Sequence, residues 1–390
     1  MIRTLHGLLP GTGVVRVVVR DGVVAEVIED EAHTTWDDRA RSLPLLLPGL
    51  LDLQVNGYAG VDFTDPGLDE QGVHTVVEAM WRAGVTGFCP TVITGALADC
   101  LASLRTLRAA AHDPEIASTV LGVHLEGPWI SPADGARGAH PREHVRDPDL
   151  AELRQMREAG DIAMITVAPE RPGALDLIRA GAEAGIVMSI GHSSADPSDV
   201  RNGVAAGARA STHLGNGVPL MLPRHPNLVW EQLSASQLTP MFIADGHHVD
   251  LTTLRTLVRA ASSPGWVLVS DVTSIGGLPA GRYRTRIGGH VELSPAGRLG
   301  MVDNGFLAGS ATALPVGLLN ALETGIGTAD QALRSVTAEP ARLIGERARD
   351  RGQLRPGARA DLVRAHLADT PGRVVVDETI IGGRTVWSGS

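Results

Sequence analysis

Eight short apolar runs, most of them followed by a helical pattern, are the feature of this sequence that most limits its fold. The runs lie at residues 43–54, 84–92, 118–126, 161–170, 185–192, 208–213, 239–246 and 266–271. Nearly continuous apolar strands that alternate with helices are typical of a parallel sheet covered by helices. Eight such units are the number that closes a (β/α)8 barrel. The pattern therefore predicts an α/β fold with a TIM-type barrel.

An open, doubly wound sheet is the alternative that the same pattern allows. That fold commonly binds dinucleotides through a G-x-G-x-x-G turn after its first strand. No such turn follows the first run at residues 43–54. The barrel is therefore the favoured interpretation.

The two ends of the chain alternate between apolar and polar residues and lack helical periodicity. TGVVRVVVRDGVVAEVIED near the start contains an Asp-Gly turn, and GRVVVDETIIGGRTVWSG near the end contains a Gly-Gly turn. We expect residues 1–47 and 346–390 to form one small β-sandwich domain beside a barrel of residues 48–345. A further β-rich insertion is expected at about 279–305, after the eighth strand.

The composition limits the compartment and the partners. Hydrophobic residues make up 43% of the chain and charged residues 20%, as in a globular protein, and no apolar run reaches the roughly 18–20 residues of a membrane span. The first residues lack a secretory leader pattern, and two cysteines, Cys89 and Cys100, suit a reducing compartment, so we expect a cytoplasmic protein without a membrane partner. A net charge of -10 without an arginine cluster argues against nucleic acid.

The chain contains no lysine, because all 34 of its basic residues are arginine. This excludes a Schiff-base lysine, a phosphate-loop lysine and a carbamylated lysine that bridges two metal ions. Any chemistry must therefore use histidine, aspartate, glutamate and the backbone.

Polar side chains stand at or just beyond the ends of several predicted strands, and in a barrel these ends converge on the face that holds the active site. They are Gln54, Asn56, His124, Glu126, His140, His192, His213, Asp245, His248 and Asp271. A lone histidine or aspartate at a strand end is more often structural, but that interpretation poorly explains five neighbouring strand ends with metal-binding residue types. Glutamate and two histidines can hold Zn²⁺ and leave a position open for water, and an aspartate nearby can carry the proton. The spacing thus favours a mononuclear metallohydrolase.

Seven sequence blocks carry a close family resemblance and span nearly the whole predicted barrel. They are PGLLDLQVNGYAGVDF (48–63), GVHLEGPWISPADGARGAHP (122–141), GHSSAD (191–196), STHLGNGVP (211–219), IADGHHV (243–249), LVSDVTSIGG (268–277) and LAGSATAL (307–314). In this order they resemble the N-acetylglucosamine-6-phosphate deacetylases of the amidohydrolase superfamily. The resemblance implies hydrolysis of the N-acetyl group of N-acetylglucosamine 6-phosphate, giving acetate and glucosamine 6-phosphate.

The resemblance also implies a role for each site residue. Glu126, His192 and His213 fall on the metal ligands of the family, and Asp271 falls on its catalytic aspartate. One divalent metal ion, Zn²⁺ in our interpretation, would be the cofactor. Asp271 would then take a proton from the attacking water and pass it to the leaving amine.

Further positions that the resemblance assigns concern the substrate. His140 and His248 fall on positions that contact the sugar and its developing charge, and Asn216 and Gly217 fall in the phosphate-binding loop. Arg224 falls on an arginine that reaches the phosphate bound by the neighbouring subunit. The last position implies a homodimer.

The first departure from the superfamily is at the end of the first strand. Many amidohydrolases carry His-x-His there for a second metal ion, whereas this chain has Gln54 and Asn56. An amide oxygen is a weak ligand for Zn²⁺, so we expect a single metal ion with these two residues near the pocket. Cyclic-amide hydrolases, which usually need two metal ions and a bridging lysine, are therefore a weaker alternative.

The second departure concerns the substrate. Family members commonly have an aromatic-Asn-Ala-Met run after the strand-six histidine, but this chain has Gly215-Asn216-Gly217-Val218. Backbone N–H groups of such a loop can still cradle a phosphate. Two alternatives stay open: deacetylation of a different acetamido sugar, including an unphosphorylated one, and a catalytically inactive relative that binds sugar.

Overall fold

The computed structural model describes residues 2–32, 36, 42–286, 288–368 and 373–389. In chain order its strands are β1 (Ile2–Leu9), β2 (Gly13–Arg20), β3 (Val23–Ala32), β4 (Leu45–Pro48), β5 (Leu50–Val55), β6 (Gly57–Tyr58), β7 (Val61–Asp62), β8 (Val85–Ile93), β9 (Val123–Glu126), β10 (Ile162–Val167), β11 (Val187–Ile190), β12 (Ala210–Ser211), β13 (Thr239–Ile243), β14 (Val267–Val269), β15 (Gly281–Arg284), β16 (His290–Leu293), β17 (Leu299–Met301), β18 (Leu362–Leu367), β19 (Val374–Ile381) and β20 (Arg384–Ser388). They form three main sheets with different roles.

The largest sheet is the barrel. Its order is β5-β8-β9-β10-β11-β12-β13-β14, and each paired neighbour is parallel. The barrel closes between the end of β5 and the residues that follow β14, where Asp271 N donates to Gln54 O at 3.0 Å and Val55 bridges Val272. The predicted α/β fold with an eight-stranded barrel is therefore confirmed.

Helices follow the barrel strands and cover the sheet, burying one face of each. The α-helices are Glu70–Arg82, Leu97–Ala110, Pro114–Ala117, Leu150–Ala159, Ala174–Glu183, Pro197–Ala206, Leu228–Ser234, Leu251–Ala260, Leu314–Thr324, Ala329–Ser335 and Ala338–Ile344. Several begin at an aspartate; the Asp196 side chain, for example, accepts from the backbone N of Asp199 in a reciprocal capping box. In the described ranges no helix combines the length and the apolar character needed to cross a membrane.

Both chain ends contribute to a separate, mostly antiparallel sheet of order β20-β19-β18-β4-β1-β2-β3, as predicted for the small domain. The strand β4 belongs to this sheet, whereas β5 begins the barrel, so the single apolar run at 43–54 contains two strands. Gly49 separates them. A Cβ at Gly49 would lie 2.1 Å from Thr86 Oγ1, and its N–H donates to Asp361 O at 2.8 Å. The chain can therefore cross between the two sheets only with a glycine here.

The expected insertion is the antiparallel sheet β15-β16-β17, which leaves the barrel after β14. Val291, Leu293 and Leu299 are buried in a small core of its own, together with Ile275 and Ala308. Because the insertion starts from the carboxyl end of a barrel strand, it stands on the same face as the polar strand ends.

Candidate active site

The carboxyl ends of the barrel strands surround a pocket of about 340 Å³. Most of the site residues that the sequence predicts line it, namely Asn56, Glu126, His140, His192, His213, Asn216, Gly217, His248 and Asp271. Gln54 is fully buried beneath these residues. Arg224 is exposed and is not among the residues that line the pocket of its own chain.

Three buried ligand atoms converge at the bottom of the pocket. Glu126 Oε1 lies 3.2 Å from His192 Nε2 and 3.0 Å from His213 Nε2, and the two imidazole nitrogens are 3.1 Å apart. Tetrahedral Zn²⁺ with bonds of about 2.0–2.1 Å separates its ligand atoms by about 3.3 Å. One carboxylate and two imidazoles are also a donor set that suits zinc, so these residues fit a single divalent ion.

The backbone turns sharply where the site side chains leave the barrel. His192, His213 and Asp271 all have positive φ, at 48°, 29° and 51°. Non-glycine residues in this region cost of order 1–3 kcal/mol each and persist where the surroundings hold them. His192 O accepts from Ser131 N at 2.8 Å, and Asp271 O accepts from Ser310 N at 2.9 Å.

Hydrogen bonds behind the cluster fix which ring nitrogens face the pocket. His192 Nδ1 donates to Ala136 O at 2.9 Å, which leaves Nε2 for the cluster. Such outer partners orient metal-binding histidines. Burial raises the pKa of Glu126, but hydrogen bonds and charge from His192 and His213 outweigh it and hold that pKa well below its usual value. The carboxylate is therefore ionised, as a metal ligand must be.

Asp271 faces the cluster from the neighbouring side. Its Oδ1 accepts from Gln54 Nε2 at 3.0 Å and from Asn56 Nδ2 at 2.7 Å, while its Oδ2 lies 3.9 Å from His248 Nε2. One carboxylate oxygen is thus fixed and the other is directed towards the pocket. Burial and the charge of Glu126 raise the pKa of Asp271, and a bound cation acts in the opposite direction.

Gln54 connects the two carboxylates. Its Nε2 donates to Glu126 Oε1 at 2.9 Å and to Asp271 Oδ1 at 3.0 Å. Asp52 supports this arrangement, because its Oδ1 accepts from the backbone N–H groups of Gln54 at 3.2 Å and of Ser270 at 3.1 Å. The Gln54 amide therefore presents N–H groups to carboxylates rather than an oxygen to a metal ion, in keeping with the expected single-metal site.

Two further histidines stand on opposite walls. His140 Nδ1 lies 2.9 Å from Thr94 Oγ1 and its Nε2 lies 3.2 Å from His192 Nε2, while burial and then His192 lower the pKa of His140 to about 3. His248 Nδ1 lies 2.8 Å from Asp245 Oδ2. Burial lowers the pKa of His248, but the hydrogen bond and charge of Asp245 outweigh it, so that pKa is raised. His140 is thus a neutral ring, and His248 a ring that readily holds a proton.

His124 takes no part in the pocket. Its Nδ1 lies 3.1 Å from Leu53 O and its Nε2 lies 2.8 Å from Thr166 Oγ1, so both ring nitrogens are occupied inside the barrel. Burial lowers the pKa of His124 to about 4. It is a neutral packing residue below Glu126.

The loop after β12 needs both of its glycines. Gly215 has φ +100° and Gly217 has φ +58°, and a Cβ at Gly217 would lie 2.9 Å from His192 Nδ1. Gly217 O accepts from Ser193 N at 3.1 Å, and Asn216 Nδ2 donates to His213 O at 3.1 Å. The Gly-Asn-Gly sequence therefore lets the loop lie directly against His192 and His213.

Sequence reasoning missed several residues of the site. Arg298 lines the pocket from the insertion, and Phe306 and Leu307 line it just after the insertion. Thr94, whose Oγ1 lies 2.9 Å from His140 Nδ1, was missed as well. The signal for the first group was available, since an insertion after the eighth strand must start on the active face.

Comparison with known proteins gives a consistent result. The amidohydrolase family model matches residues 45–386. The chain is 32% identical over 351 residues to N-acetylgalactosamine-6-phosphate deacetylase of Escherichia coli O157:H7, covering 88% of this chain and 89% of that protein. It is 34% identical over 357 residues to N-acetylglucosamine-6-phosphate deacetylase of Danio rerio, covering 88% and 84%.

Solved structures of similar fold agree with the relatives found by sequence. A mutant N-acetyl-D-glucosamine-6-phosphate deacetylase of Mycobacterium smegmatis, in complex with N-acetyl-D-glucosamine-6-phosphate, superposes with a TM-score of 0.85 and 27% identity over 99% of both chains. The N-acetylglucosamine-6-phosphate deacetylase of Thermotoga maritima gives a TM-score of 0.84 and 25% identity, covering 99% of this chain and 100% of that one. On the family model, the relatives and the fold together, this chain belongs to the amidohydrolase family, among the amino-sugar-6-phosphate deacetylases.

Proposed function

We propose that this chain is a metal-dependent deacetylase that converts N-acetylglucosamine 6-phosphate and water into glucosamine 6-phosphate and acetate. The observation that carries this proposal is the pairing of the Glu126, His192 and His213 cluster with the Asp271 carboxylate across the Gln54 amide. Metal-assisted hydrolysis of an amide needs both parts: a cation at the carbonyl and a base for the water.

The cofactor we propose is one divalent ion, zinc, held by Glu126, His192 and His213. When bound, this ion polarises the acetyl carbonyl and the attacking water. Two features of the chain support a single ion. Gln54 donates N–H groups where many amidohydrolases have histidine ligands, and the sequence offers no lysine to bridge two metals.

Asp271 moves the proton in the proposed reaction. Its Oδ1 is held by Gln54 and Asn56, so Oδ2 is the atom that accepts a proton from water as the C–O bond forms. The same atom then gives the proton to the amine nitrogen as the C–N bond breaks, and acetate leaves. Asp271 must begin ionised, which the neighbouring cation favours.

The two histidines of the walls bind substrate in this proposal. His140, whose Nδ1 is paired with Thr94, borders the cluster where the acetyl oxygen develops charge. His248, whose Nδ1 is paired with Asp245, offers Nε2 to the sugar beside Asp271. The partners leave each ring in one orientation.

The phosphate and the oligomer belong to the same proposal. Asn216 and Gly217 form the loop that would hold the phosphate, with glycine allowing close approach of its backbone. Arg224 is exposed outside its own pocket, which suits a residue that serves the pocket of a second subunit. We therefore propose a homodimer, testable by sedimentation and by the Michaelis constant of Arg224→Ala.

A cytoplasmic location is the remaining part of the proposal. Cys89 and Cys100 are both free and buried, as in proteins of reducing compartments. The proposed substrate is a sugar phosphate, an intracellular class of metabolite.

A second candidate substrate is N-acetylgalactosamine 6-phosphate, the epimer named in the E. coli relative. The reaction and its residues are the same for both epimers. The difference would lie in the contacts of the 4-hydroxyl group.

The decisive measurement is acetate release by zinc-loaded enzyme from each phosphorylated epimer and from unphosphorylated N-acetylglucosamine. We expect the highest kcat/KM with N-acetylglucosamine 6-phosphate. A preference for the galacto epimer would support the second candidate, and a preference for the unphosphorylated sugar would remove the phosphate from the proposal. Absence of acetate with all three would overturn the proposed activity.

A further inference from the structure

We propose that Arg298 binds the phosphate of the substrate within the same subunit, so that the pocket has a cation of its own in addition to any arginine from a second subunit. This inference rests on the proposed function, because it assigns a residue to the phosphorylated substrate. Arg298 lies in the turn between β16 and β17 of the insertion, far in sequence from the Asn216 loop.

The insertion holds Arg298 at the pocket. Arg298 N donates to Ser294 Oγ at 3.1 Å, and Ser294 N donates to Arg298 O at 2.9 Å, which closes the turn. The guanidinium Nη2 donates to Gly305 O at 2.6 Å. Within the described residues its other N–H groups have no hydrogen-bond partner, and the side chain lines the same pocket as Asn216, Gly217 and His248.

Among the described residues Arg298 has no carboxylate as an ion-pair partner, because Glu292, which lines a neighbouring cavity together with Arg298, pairs with Arg282 at 3.1 Å. Of the described residues that line the active pocket, Arg298 is the one arginine, and across the part of the chain that the structure covers no acidic group forms an ion pair with it. Glu126 and Asp271, the carboxylates of the pocket, are engaged at the metal end. Burial and Asp245 dominate the pKa of His248, which is raised, and the positive charge of Arg298 is a smaller contribution that opposes the rise.

The phosphate of the substrate is the ligand that suits a guanidinium without an ion-pair partner in this pocket. A phosphate monoester carries a charge of about -1.5 to -2 at neutral pH, and arginine donates to phosphate oxygens through two parallel N–H groups. Both Arg224 and Arg298 are exposed, but only Arg298 lines this pocket in the same chain. Arg298 therefore distinguishes phosphorylated from unphosphorylated sugars at a pocket whose metal end treats them alike.

The test compares Arg298→Gln with the wild type on N-acetylglucosamine 6-phosphate and on N-acetylglucosamine. We expect KM for the phosphorylated sugar to rise about tenfold or more, as for loss of a hydrogen bond to a charged group. The values for the unphosphorylated sugar and the kcat for both should change little. Arg298→Lys should recover part of the KM, because it retains the charge.

The matched control is Arg282→Gln, which removes an arginine from the same insertion. Arg282 pairs with Glu292 at 3.1 Å on the exposed side and does not line the active pocket, so its KM values should equal those of the wild type. Equal KM values for Arg298→Gln and the wild type would overturn the inference. A rise of KM for both sugars alike would also overturn it, since Arg298 would then only hold Gly305.

Failure of the proposed function has a different signature. In that case the wild type itself releases no acetate from the phosphorylated sugar. Calorimetric titration with glucosamine 6-phosphate still tests Arg298, because binding does not require turnover. Weaker binding to Arg298→Gln than to wild type and Arg282→Gln would support the inference, and equal binding would reject it.

Discussion

The floor and the rim of the pocket are built in opposite ways. At the floor Glu126, His192 and His213 are at most 6% exposed, and Glu126 and His192 are also held by hydrogen bonds to Gln54 and Ala136. At the rim Leu220 is 65% exposed and Phe306 is 41% exposed. In the proposed function the reaction therefore depends on the barrel, whereas substrate choice depends on loops that the barrel only carries.

Substitutions at the floor should therefore alter catalysis or metal binding, and substitutions at the rim should alter KM. The loop of Asn216 and Gly217 is the point of contact between the two regions, because Gly217 lies against His192. Variants in each region can break this division or make it more precise.

The largest effect is expected for Asp271→Asn. The asparagine can keep both contacts, to Gln54 and to Asn56, through its Oδ1, but the amide nitrogen that replaces Oδ2 cannot accept the proton of water, so kcat should fall at least about a hundredfold. Metal content after dialysis should remain that of the wild type. Turnover close to normal would show that Asp271 is not the proton carrier. It would also contradict the expectation that floor residues control catalysis.

Glu126→Gln should produce the next largest effect. Replacing the carboxylate by an amide removes the one anionic ligand of the cluster, so dialysed protein should hold less zinc and lose activity in proportion. Elemental analysis measures the zinc content, and acetate release measures the activity.

Glu339→Gln is the control for Glu126→Gln. Glu339 is also buried, but it pairs with Arg334 and Arg342 on the outer helices. That variant should lose stability without losing metal. Full zinc retention by Glu126→Gln would show that Glu126 is not a ligand.

The floor could be predicted from the sequence because it follows from topology. Once eight parallel strands close, the residues at their carboxyl ends must meet, whatever the details of side-chain packing. Glu126, His192, His213 and Asp271 are therefore found from the strand pattern alone. Gln54 is different, because the direction of its amide is decided by two carboxylates that the sequence does not bring next to it.

The rim could not be predicted in the same way. The insertion was expected as a β-rich segment. The position of Arg298, however, depends on the hydrogen bond of its backbone N to Ser294 and on that of its guanidinium to Gly305 O. Likewise, the run at 43–54 divides at Gly49 because Thr86 lies against it, a contact between residues far apart in sequence. Tertiary contacts of this kind leave no local pattern.

Gly217→Ala tests the boundary between floor and rim. A Cβ there would lie 2.9 Å from His192 Nδ1, so His192 must shift and its bond to Ala136 O must weaken. Changes next to metal ligands typically cost 10–100-fold, and we expect metal affinity to fall about tenfold. Competition with a chelating dye measures it.

Gly185→Ala is the matched control for that substitution. Gly185 also has positive φ, at +76°, but a Cβ there meets nothing within 4 Å. Both variants should carry the cost of about 1 kcal/mol for alanine in this conformation. Equal metal affinities would mean that the loop moves independently of His192, and that floor and rim are not coupled at Gly217.

Asp52 should have the smallest effect on activity, because it supports the floor from below without facing the pocket. Burial raises the pKa of Asp52 to about 7, and its Oδ2 is buried without a hydrogen-bond partner in the described structure. In the unfolded chain this carboxyl has its ordinary pKa of 3.8. The folded protein therefore retains a proton between pH 4 and 7 that the unfolded chain has released.

The proton that the folded protein retains determines whether stability rises or falls with pH. The stability of the metal-free wild type should decrease as pH rises from about 4 to about 7, by on the order of 4 kcal/mol at most from Asp52, and then level off. Asp52→Asn does not titrate, so its stability relative to the wild type should improve over the same interval, which urea unfolding at pH 5 and pH 8 measures. If the difference in unfolding free energy between the two proteins were the same at pH 5 and pH 8, Asp52 would be ionised in the folded protein at both values. The floor would then contain a buried carboxylate charge at Asp52.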